Sequence, residues 1–488
     1  MQNQKRPGAG PGVVPGAGQI AAVAAGNGLE FYDFVTYSFF AVQIGHCFFP
    51  HLGAEGSLLA SLATFGVGFL FRPLGAWAIG RVADRRGRRP AMLLSFALIG
   101  VSVTGLALTP SYRSIGPAAP VLAIGFRMLQ GFALGGEVGP STAFLLEAAP
   151  PERRGLFTAL QAASADAAVL VAGLVGILLS FLTDAAGLER WGWRAALLLG
   201  AAAVPFGLLM RRTIGETLHG GANGNVSALS AAPGLPVDRV QVDRVPVGRM
   251  PVRRVAVLGL AMLAAATIGN YTLDYLTTFA EATLHLSPSV AFRVTVIVGG
   301  CGVACDLLGG WLSDRLGRRP VLLVPGLLLL LLLLPAFALL DRVREPAVLL
   351  GMAALLSCCM TLSNVSMIVT IAEALPRGLR ARGLGLIYAV SISVFGGSAQ
   401  LVIACLVHWT GSAMAPGFYM FGAVALGLLA AWRLPETAPG RGRLAAALPA
   451  PGLAGGSGDP AGLLPDPGSS AAITTARRLA TSSRRPSR

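Results

Sequence analysis

The sequence predicts an all-α membrane protein in which twelve transmembrane helices form two six-helix bundles related by pseudo-two-fold symmetry. The first supporting observation is composition: 54% of the 488 residues are hydrophobic and only 12% are charged, about half the charge of a typical soluble domain. The second is a set of twelve apolar stretches, each close to the roughly 20 residues that a helix needs to cross a bilayer. The third is an internal repeat. The composition argues against a water-soluble enzyme.

The apolar stretches fall into two groups of six. The predicted spans are 20–45, 57–80, 91–109, 118–147, 155–182 and 192–211 in the first half and 254–280, 289–312, 320–340, 347–374, 381–409 and 414–434 in the second. The predicted domains are therefore an N-terminal tail (1–19), a first bundle (20–211), a linker (212–253), a second bundle (254–437) and a disordered tail (438–488) rich in Gly, Pro, Ala and Ser.

Basic residues predict the orientation, because Lys and Arg accumulate in cytoplasmic loops. Most of the 38 basic residues lie in segments that face the cytoplasm if the N-terminus does. Both termini are therefore predicted to be cytoplasmic. The net charge of +15 is then explained by topology and lipid contact, and no nucleic-acid partner is expected. Residues 237–255, where Val alternates with Arg or Asp, form either a flexible linker, a short strand or a basic strip at the lipid headgroups.

One loop occurs twice. GRVADRRGRRP (80–90) recurs as GWLSDRLGRRP (310–320), 230 residues later. The residues shared by the copies are Gly80, Asp84, Arg85, Gly87, Arg88 and Arg89, and Gly310, Asp314, Arg315, Gly317, Arg318 and Arg319. The aspartates can accept hydrogen bonds from helix N-terminal amides or from nearby Arg, and the arginines can anchor to headgroups.

With these loops, five further segments carry a resemblance to a known family: NGLEFYDFVTYSFFA (27–41), FRPLGAW (71–77), RMLQGFALGGEVG (127–139), WGWR (191–194) and GLGLIYAVSISVFGGSAQ (383–400). The chain resembles the metabolite:proton symporter branch of the major facilitator superfamily. The resemblance implies a monomer that moves a small organic acid, zwitterion or osmolyte together with a proton. It also implies that the repeated loops latch the two halves in the outward-open state. The sequence departs from the family pattern at Asp166 and Gln400.

Charged residues inside the first predicted span are candidates for proton coupling, because a charge within the bilayer is costly and is usually placed for function. Glu30 and Asp33 lie three residues apart and Tyr37 four residues further, so all three can share one helix face. Two close carboxylates cannot both ionise easily at low dielectric, so one of them can carry a proton. Alternatively, one simply neutralises an Arg.

The fourth span carries Arg127, Gln130 and Glu137. A guanidinium in a water-lined cavity suits a substrate carboxylate, but Arg127 could instead pair permanently with Glu30 or Asp33. Glu137 is either a proton site or a structural hydrogen-bonding group between close-packed helices.

Other polar residues lie at various depths in the spans. Asp166 falls near the middle of the fifth span, where transporter sites lie, and is either a site residue or permanently protonated. Asp306, Asn364 and Gln400 are possible cavity groups, with interhelical hydrogen bonding as the alternative. Asp274 and Arg293 could form an external gate.

The sequence therefore predicts a secondary transporter that imports a small metabolite with a proton across the cell membrane, without a cofactor or metal. An exporter of the same fold usually has a Gly-Pro pair in the fifth span, and residues 155–204 contain no Pro. A membrane enzyme or sensor would need a catalytic set such as HExxH or GxSxG, or a folded cytoplasmic domain, and the sequence shows neither. No Walker A motif is present, and the six cysteines have no CxxC spacing.

Overall fold

The computed structural model describes residues 17–86, 88–135, 149–150, 153–202, 250–376 and 380–438, and these residues are helical almost throughout. They belong to one compact unit within residues 1–444. Glu137 and Gly87 lie outside the described residues, as do the side chains of Asp84, Arg88 and Arg89. The same holds for nearly all of the predicted linker and of the two predicted tails.

The described helices fall at the predicted stretches, and we number the spans 1 to 12 in chain order. Residues 136–147 of the predicted fourth span lie outside the described residues. Spans 1 to 6 are Ala17–Phe39 with Ala41–Phe48, Gly53–Arg86, Arg88–Leu108, Ala118–Leu134, Arg154–Leu182 and 193–202. Spans 7 to 12 are Val252–Ala282, Pro288–Leu316, Arg318–Arg342, Pro346–Asn364 with Met367–Ala374, Arg380–Ser391 with Gly397–Thr410, and Ala415–Trp432. A π-helical turn, Ile392–Gly396, joins the two parts of span 11.

The exposed surface of the spans is apolar and the interior holds the polar groups, as expected of a protein immersed in lipid. Leu331 and Trp409 expose 72% and 76% of their surface, whereas Arg127 exposes 1%. Eight described helices are long and apolar enough to cross a membrane, and the helices Leu93–Leu108 and Ala118–Leu134 are shorter but apolar. The structure describes span 6 only as far as residue 202.

Two apolar cores fill the protein, one built mainly by spans 1 to 6 and the other mainly by spans 7 to 12. The halves meet along a seam in which span 5 packs on span 8. Glycines permit this close approach: a Cβ at Gly299 would overlap the backbone of Leu170, and a Cβ at Gly173 would lie 2.8 Å from the Val296 nitrogen. Span 2 meets span 11 in the same way, since a Cβ at Gly66 would overlap the Gly397 carbonyl.

The second copy of the repeated loop joins the two halves at the predicted cytoplasmic end. The Asp314 carboxylate accepts hydrogen bonds from the backbone N–H groups of Gly155 (2.8 Å) and Leu156 (2.9 Å) in the first turn of span 5. Arg318 is fully buried and donates to Asp314 at 2.7 Å and to Glu373 at 3.4 Å. In the first copy, Arg85 is exposed and Gly80 is half-buried.

The remaining residues of the second copy form the turn between spans 8 and 9 or pack against helical residues. Gly317 has a φ of +103°, which favours glycine, and a Cβ at Gly310 would lie 2.9 Å from the Gly155 carbonyl oxygen. The Arg315 guanidinium stacks on Trp311 at 4.0 Å, and Arg319 donates to the Trp432 carbonyl at 2.7 Å.

Glu436, which follows span 12, caps the N-terminus of span 9. Its carboxylate accepts from the backbone N–H groups of Arg318 (2.9 Å) and Arg319 (3.0 Å). The neighbouring Thr437 hydroxyl donates to Glu373 at 2.8 Å. The first amides of span 9, which have no partner within their own helix, are thereby satisfied by the segment after span 12.

The predicted external ends of the halves are also in contact. Gln43 at the end of span 1 donates to Glu281 at the end of span 7 at 2.6 Å. His408 and Glu55 approach to 2.8 Å between spans 11 and 2. These contacts join the two halves on that side.

Candidate substrate and proton site

A buried guanidinium lies at the centre of the first half. Arg127 of span 4 lies over the rings of Tyr37 (4.4 Å), Phe65 (5.0 Å) and Phe34 (5.3 Å) and donates from Nη1 to Gln130. Its Nε and Nη2 atoms have no hydrogen-bond partner among the described residues. Arg127 therefore combines a full charge, aromatic support and free donors.

A second guanidinium shares the same aromatic cluster. Arg72 of span 2 lies 4.2 Å from the Phe69 ring and 4.7 Å from the Phe34 ring, so Phe34 supports both guanidiniums. Its Nε is also without a partner in the described part of the chain, and Arg72 and Arg127 interact electrostatically. Two like charges close together in a medium of low dielectric repel each other, and a bound anion would relieve that repulsion.

The second half completes this cluster. Tyr271 of span 7 packs edge-on against Phe69 at 5.8 Å and Phe65 at 6.3 Å, and Tyr388 of span 11 interacts electrostatically with Arg72. Sequence reasoning identified Arg127 but assigned no role to Arg72, Tyr271 or Tyr388. For Arg72 the signal was available, because an Arg inside an apolar span is rare.

The carboxylates of span 1 are inside the protein and not in contact with lipid. Glu30 and Asp33 expose 5% and 2% of their surface and interact with each other electrostatically. Asp33 lies against Gly200 of span 6, where a Cβ would overlap its carboxylate, and its Oδ1 has no hydrogen-bond partner among the described residues. Glu30 also interacts electrostatically with Arg72.

Tyr37 and Asp33 contact different neighbours. The Tyr37 ring supports Arg127 and its hydroxyl donates to the Ser61 carbonyl at 3.3 Å. Of the three predicted residues of span 1, Tyr37 therefore lies in the guanidinium cluster and Asp33 contacts span 6. Glu30 interacts electrostatically with Asp33 and with Arg72.

The remaining candidates are distributed over the boundary between the halves. Gln400 accepts from Ser38 of span 1 at 2.8 Å, and Asn364 donates to Asn270 of span 7 at 3.0 Å. Asp166 and Asp306 lie at the seam between spans 5 and 8 and interact electrostatically.

Comparison with known proteins identifies the relatives of this chain. The family profile described as "Sugar (and other) transporter" matches residues 19–217 and 242–440. The citrate-proton symporter of Klebsiella pneumoniae is 34% identical over 414 residues, which are 85% of this chain and 90% of the relative. The alpha-ketoglutarate permease of Escherichia coli K12 is 33% identical, over 79% of this chain and 86% of the relative. The proline/betaine transporter of the same organism is 29% identical, over 88% of this chain and 85% of the relative.

The fold matches solved transporters. A proton:xylose symporter of the major facilitator superfamily, bound to 6-bromo-6-deoxy-D-glucose, superimposes with a TM-score of 0.66 at 17% identity, covering 86% of this chain and 96% of that chain. The predicted fold class is thereby confirmed.

Proposed function

The chain belongs to the sugar (and other) transporter family of the major facilitator superfamily and is a proton-coupled symporter of small organic substrates, and we propose that its substrate is an organic anion with at least two carboxylates. The single observation that carries this proposal is a pair of guanidiniums in one aromatic cluster, the buried Arg127 and the partly buried Arg72, which both retain unpartnered N–H donors among the described residues.

The chemistry of the pair selects a multivalent anion. A guanidinium presents its donors in a fixed fork that matches a carboxylate. One carboxylate on each of Arg72 and Arg127 would satisfy the free donors and neutralise both charges. The rings of Phe34, Phe65 and Phe69 exclude water from the pair, which strengthens each interaction.

Two of the relatives fit this chemistry by name, because citrate carries three carboxyl groups and alpha-ketoglutarate carries two. The betaine relative raises the alternative of a zwitterion, since aromatic rings also bind quaternary ammonium groups. In this chain the faces of Phe34 and Phe69 already support guanidiniums. We therefore favour the anion over the zwitterion.

Protons make the import of such an anion possible. A membrane potential that is negative inside opposes anion entry by about 2.3 kcal/mol per charge per 100 mV, and co-transported protons offset that charge. In this proposal Glu30 and Asp33 are the proton carriers of the first half, since they are buried, adjacent and within electrostatic range of one another. Rocking of the halves about the seams of spans 5 and 8 and of spans 2 and 11 then alternates access to the cluster.

Uptake by purified protein in proteoliposomes tests the proposal. We expect radiolabelled citrate or 2-oxoglutarate to accumulate under an imposed inward proton gradient, and we expect a protonophore to abolish accumulation. Glycine betaine serves as the zwitterion probe. Preferential accumulation of glycine betaine would contradict the substrate class, and greater retention of citrate on addition of the protonophore would indicate an exporter.

A further inference from the structure

A second group of carboxyls lies at the seam between the halves, apart from the guanidinium cluster. Asp166 of span 5 points at span 8, because a Cβ at Gly302 would overlap its carboxylate. Asp306 follows Gly302 by four residues and so lies on the same face of span 8. Asp306 therefore lies on the face of span 8 that Asp166 meets, within electrostatic range of the Asp166 carboxyl.

Asp306 is a buried residue of this site, and one of its carboxylate oxygens lacks a hydrogen-bond donor. It exposes 3% of its surface, and its Oδ2 has no hydrogen-bond partner among the described residues. It interacts electrostatically with Asp166. A buried carboxylate oxygen without a donor is strongly unfavourable unless a proton or another cation occupies it.

The other titratable groups around the pair come from spans 7 and 8. Asp274 of span 7 interacts electrostatically with Asp166, and the Cys305 thiol of span 8 interacts with Asp306. None of the three aspartates forms an ion pair with another described residue. Among the residues that the structure describes, no group of three or more His, Cys, Asp or Glu side chains is arranged to hold a metal ion. A proton is therefore the favoured occupant.

We propose that Asp166 and Asp306 share one proton across the seam and that this proton is co-transported with the substrate. The proton is taken from external water onto one carboxylate oxygen and is released to cytoplasmic water. Without it, two adjacent anions repel each other and separate span 5 from span 8; with it, they form a hydrogen bond that closes the seam. This inference rests on the proposed symport function and adds a proton site distinct from Glu30 and Asp33.

The seam site has a structural connection to the guanidinium cluster. Tyr271, which packs on the aromatic rings of the cluster, interacts electrostatically with Arg72, Arg127 and Asp274. Asp274 in turn interacts with Asp166. Neutralisation of the guanidiniums by a bound anion therefore changes the field at the seam carboxyls, which couples proton binding to substrate binding.

Two nearly isosteric variants, Asp166→Asn and Asp306→Asn, test the assignment, with Asp341→Asn as the matched control because Asp341 is exposed at the end of span 9. Proteoliposomes containing a pH-sensitive dye report protons taken up per radiolabelled citrate. Counterflow exchange without a gradient reports substrate binding and rocking alone. We expect Asp341→Asn to match the wild type in all three measurements. The two seam variants should still exchange citrate, but they should take up one proton fewer per citrate and accumulate it about tenfold less per pH unit of imposed gradient.

Several results would overturn the assignment. If both variants take up as many protons per citrate and accumulate as much citrate as the wild type, Asp166 and Asp306 are not a proton site, and the proposed function stands. Loss of exchange in folded protein would place the pair in substrate binding. Sodium-dependent accumulation that Asp306→Asn abolishes would identify a sodium site. Absence of proton uptake by the wild type would refute the proposed function as well.

Infrared spectroscopy of the purified protein gives a readout that needs no substrate. We expect the C=O stretch of a protonated carboxyl in wild type and in Asp341→Asn, and its loss or shift in Asp166→Asn and Asp306→Asn. An unaltered band in both seam variants would contradict the shared proton.

Discussion

Replacement of Arg127 by Met should weaken substrate binding and at the same time stabilise the empty protein. Methionine keeps the unbranched bulk that packs against Tyr37, Phe65 and Phe34 but removes the charge and the two unpartnered donors, Nε and Nη2. A hydrogen bond to a charged group contributes about 1.5 to 3 kcal/mol. Loss of two such bonds, taken at the lower figure, costs about 3 kcal/mol, which corresponds to roughly a 150-fold weaker Kd.

Thermal unfolding in detergent with and without citrate measures both effects. At a citrate concentration of 100 times the wild-type Kd, binding stabilises the wild type by about 2.7 kcal/mol, but a 150-fold weaker variant by only about 0.3 kcal/mol. Without citrate, the variant should unfold at a higher temperature than the wild type. The reason is that the buried guanidinium pays a desolvation cost that methionine does not pay, and Arg127 is also repelled by Arg72.

The control is Arg293→Met, because Arg293 is an exposed arginine on span 8; it should leave the citrate effect unchanged. An undiminished citrate effect in Arg127→Met would remove Arg127 from the substrate site. A lower unfolding temperature for the empty variant would show that the guanidinium stabilises the fold and would refute the reasoning from repulsion.

Three further predictions concern other parts of the molecule. Asp33→Asn should abolish accumulation driven by a proton gradient while the protein still reaches the membrane, and normal concentrative uptake of citrate would exclude Asp33 from coupling. Asp314→Asn should weaken the acceptor of the Gly155 amide and lower the free energy of unfolding by about 1 to 3 kcal/mol, measured by thermal unfolding; an unchanged midpoint would show that this contact contributes nothing. Gly302→Ala should place a methyl group where the Asp166 carboxylate lies and slow counterflow exchange, whereas Gly351→Ala, at a glycine with open space, should not; equal rates would mean that the seam tolerates the methyl group.

The twelve spans could be predicted from the sequence because bilayer thickness fixes the length of an apolar helix. The interruptions could not be predicted. Span 1 breaks at Phe40 within an apolar stretch. Span 10 breaks after Asn364, where Ser363, Asn364 and Ser366 interrupt the apolar sequence without specifying a break by themselves. Such breaks depend on packing against neighbouring helices, which a single span does not encode.

The site was only partly predictable for a similar reason. Arg127 and Gln130 contact each other as their spacing of three suggests. The shared aromatic support of Arg72 and Arg127 was not predictable, because it requires spans 1, 2 and 4 to meet. Asp274 and Arg293, which were expected to form an external gate, do not form an ion pair with each other among the described residues. Asp274 interacts electrostatically with Asp166 of the other half, and Arg293 is exposed.

The cap that Glu436 provides to span 9 has a practical consequence for handling this protein. A shortened chain that ends before Glu436 would leave the first amides of span 9 without their acceptor and would deprive Glu373 of the Thr437 hydroxyl. Purification tags and fluorescent fusions therefore belong beyond residue 438, and a truncation made to aid crystallisation should keep every residue up to that point.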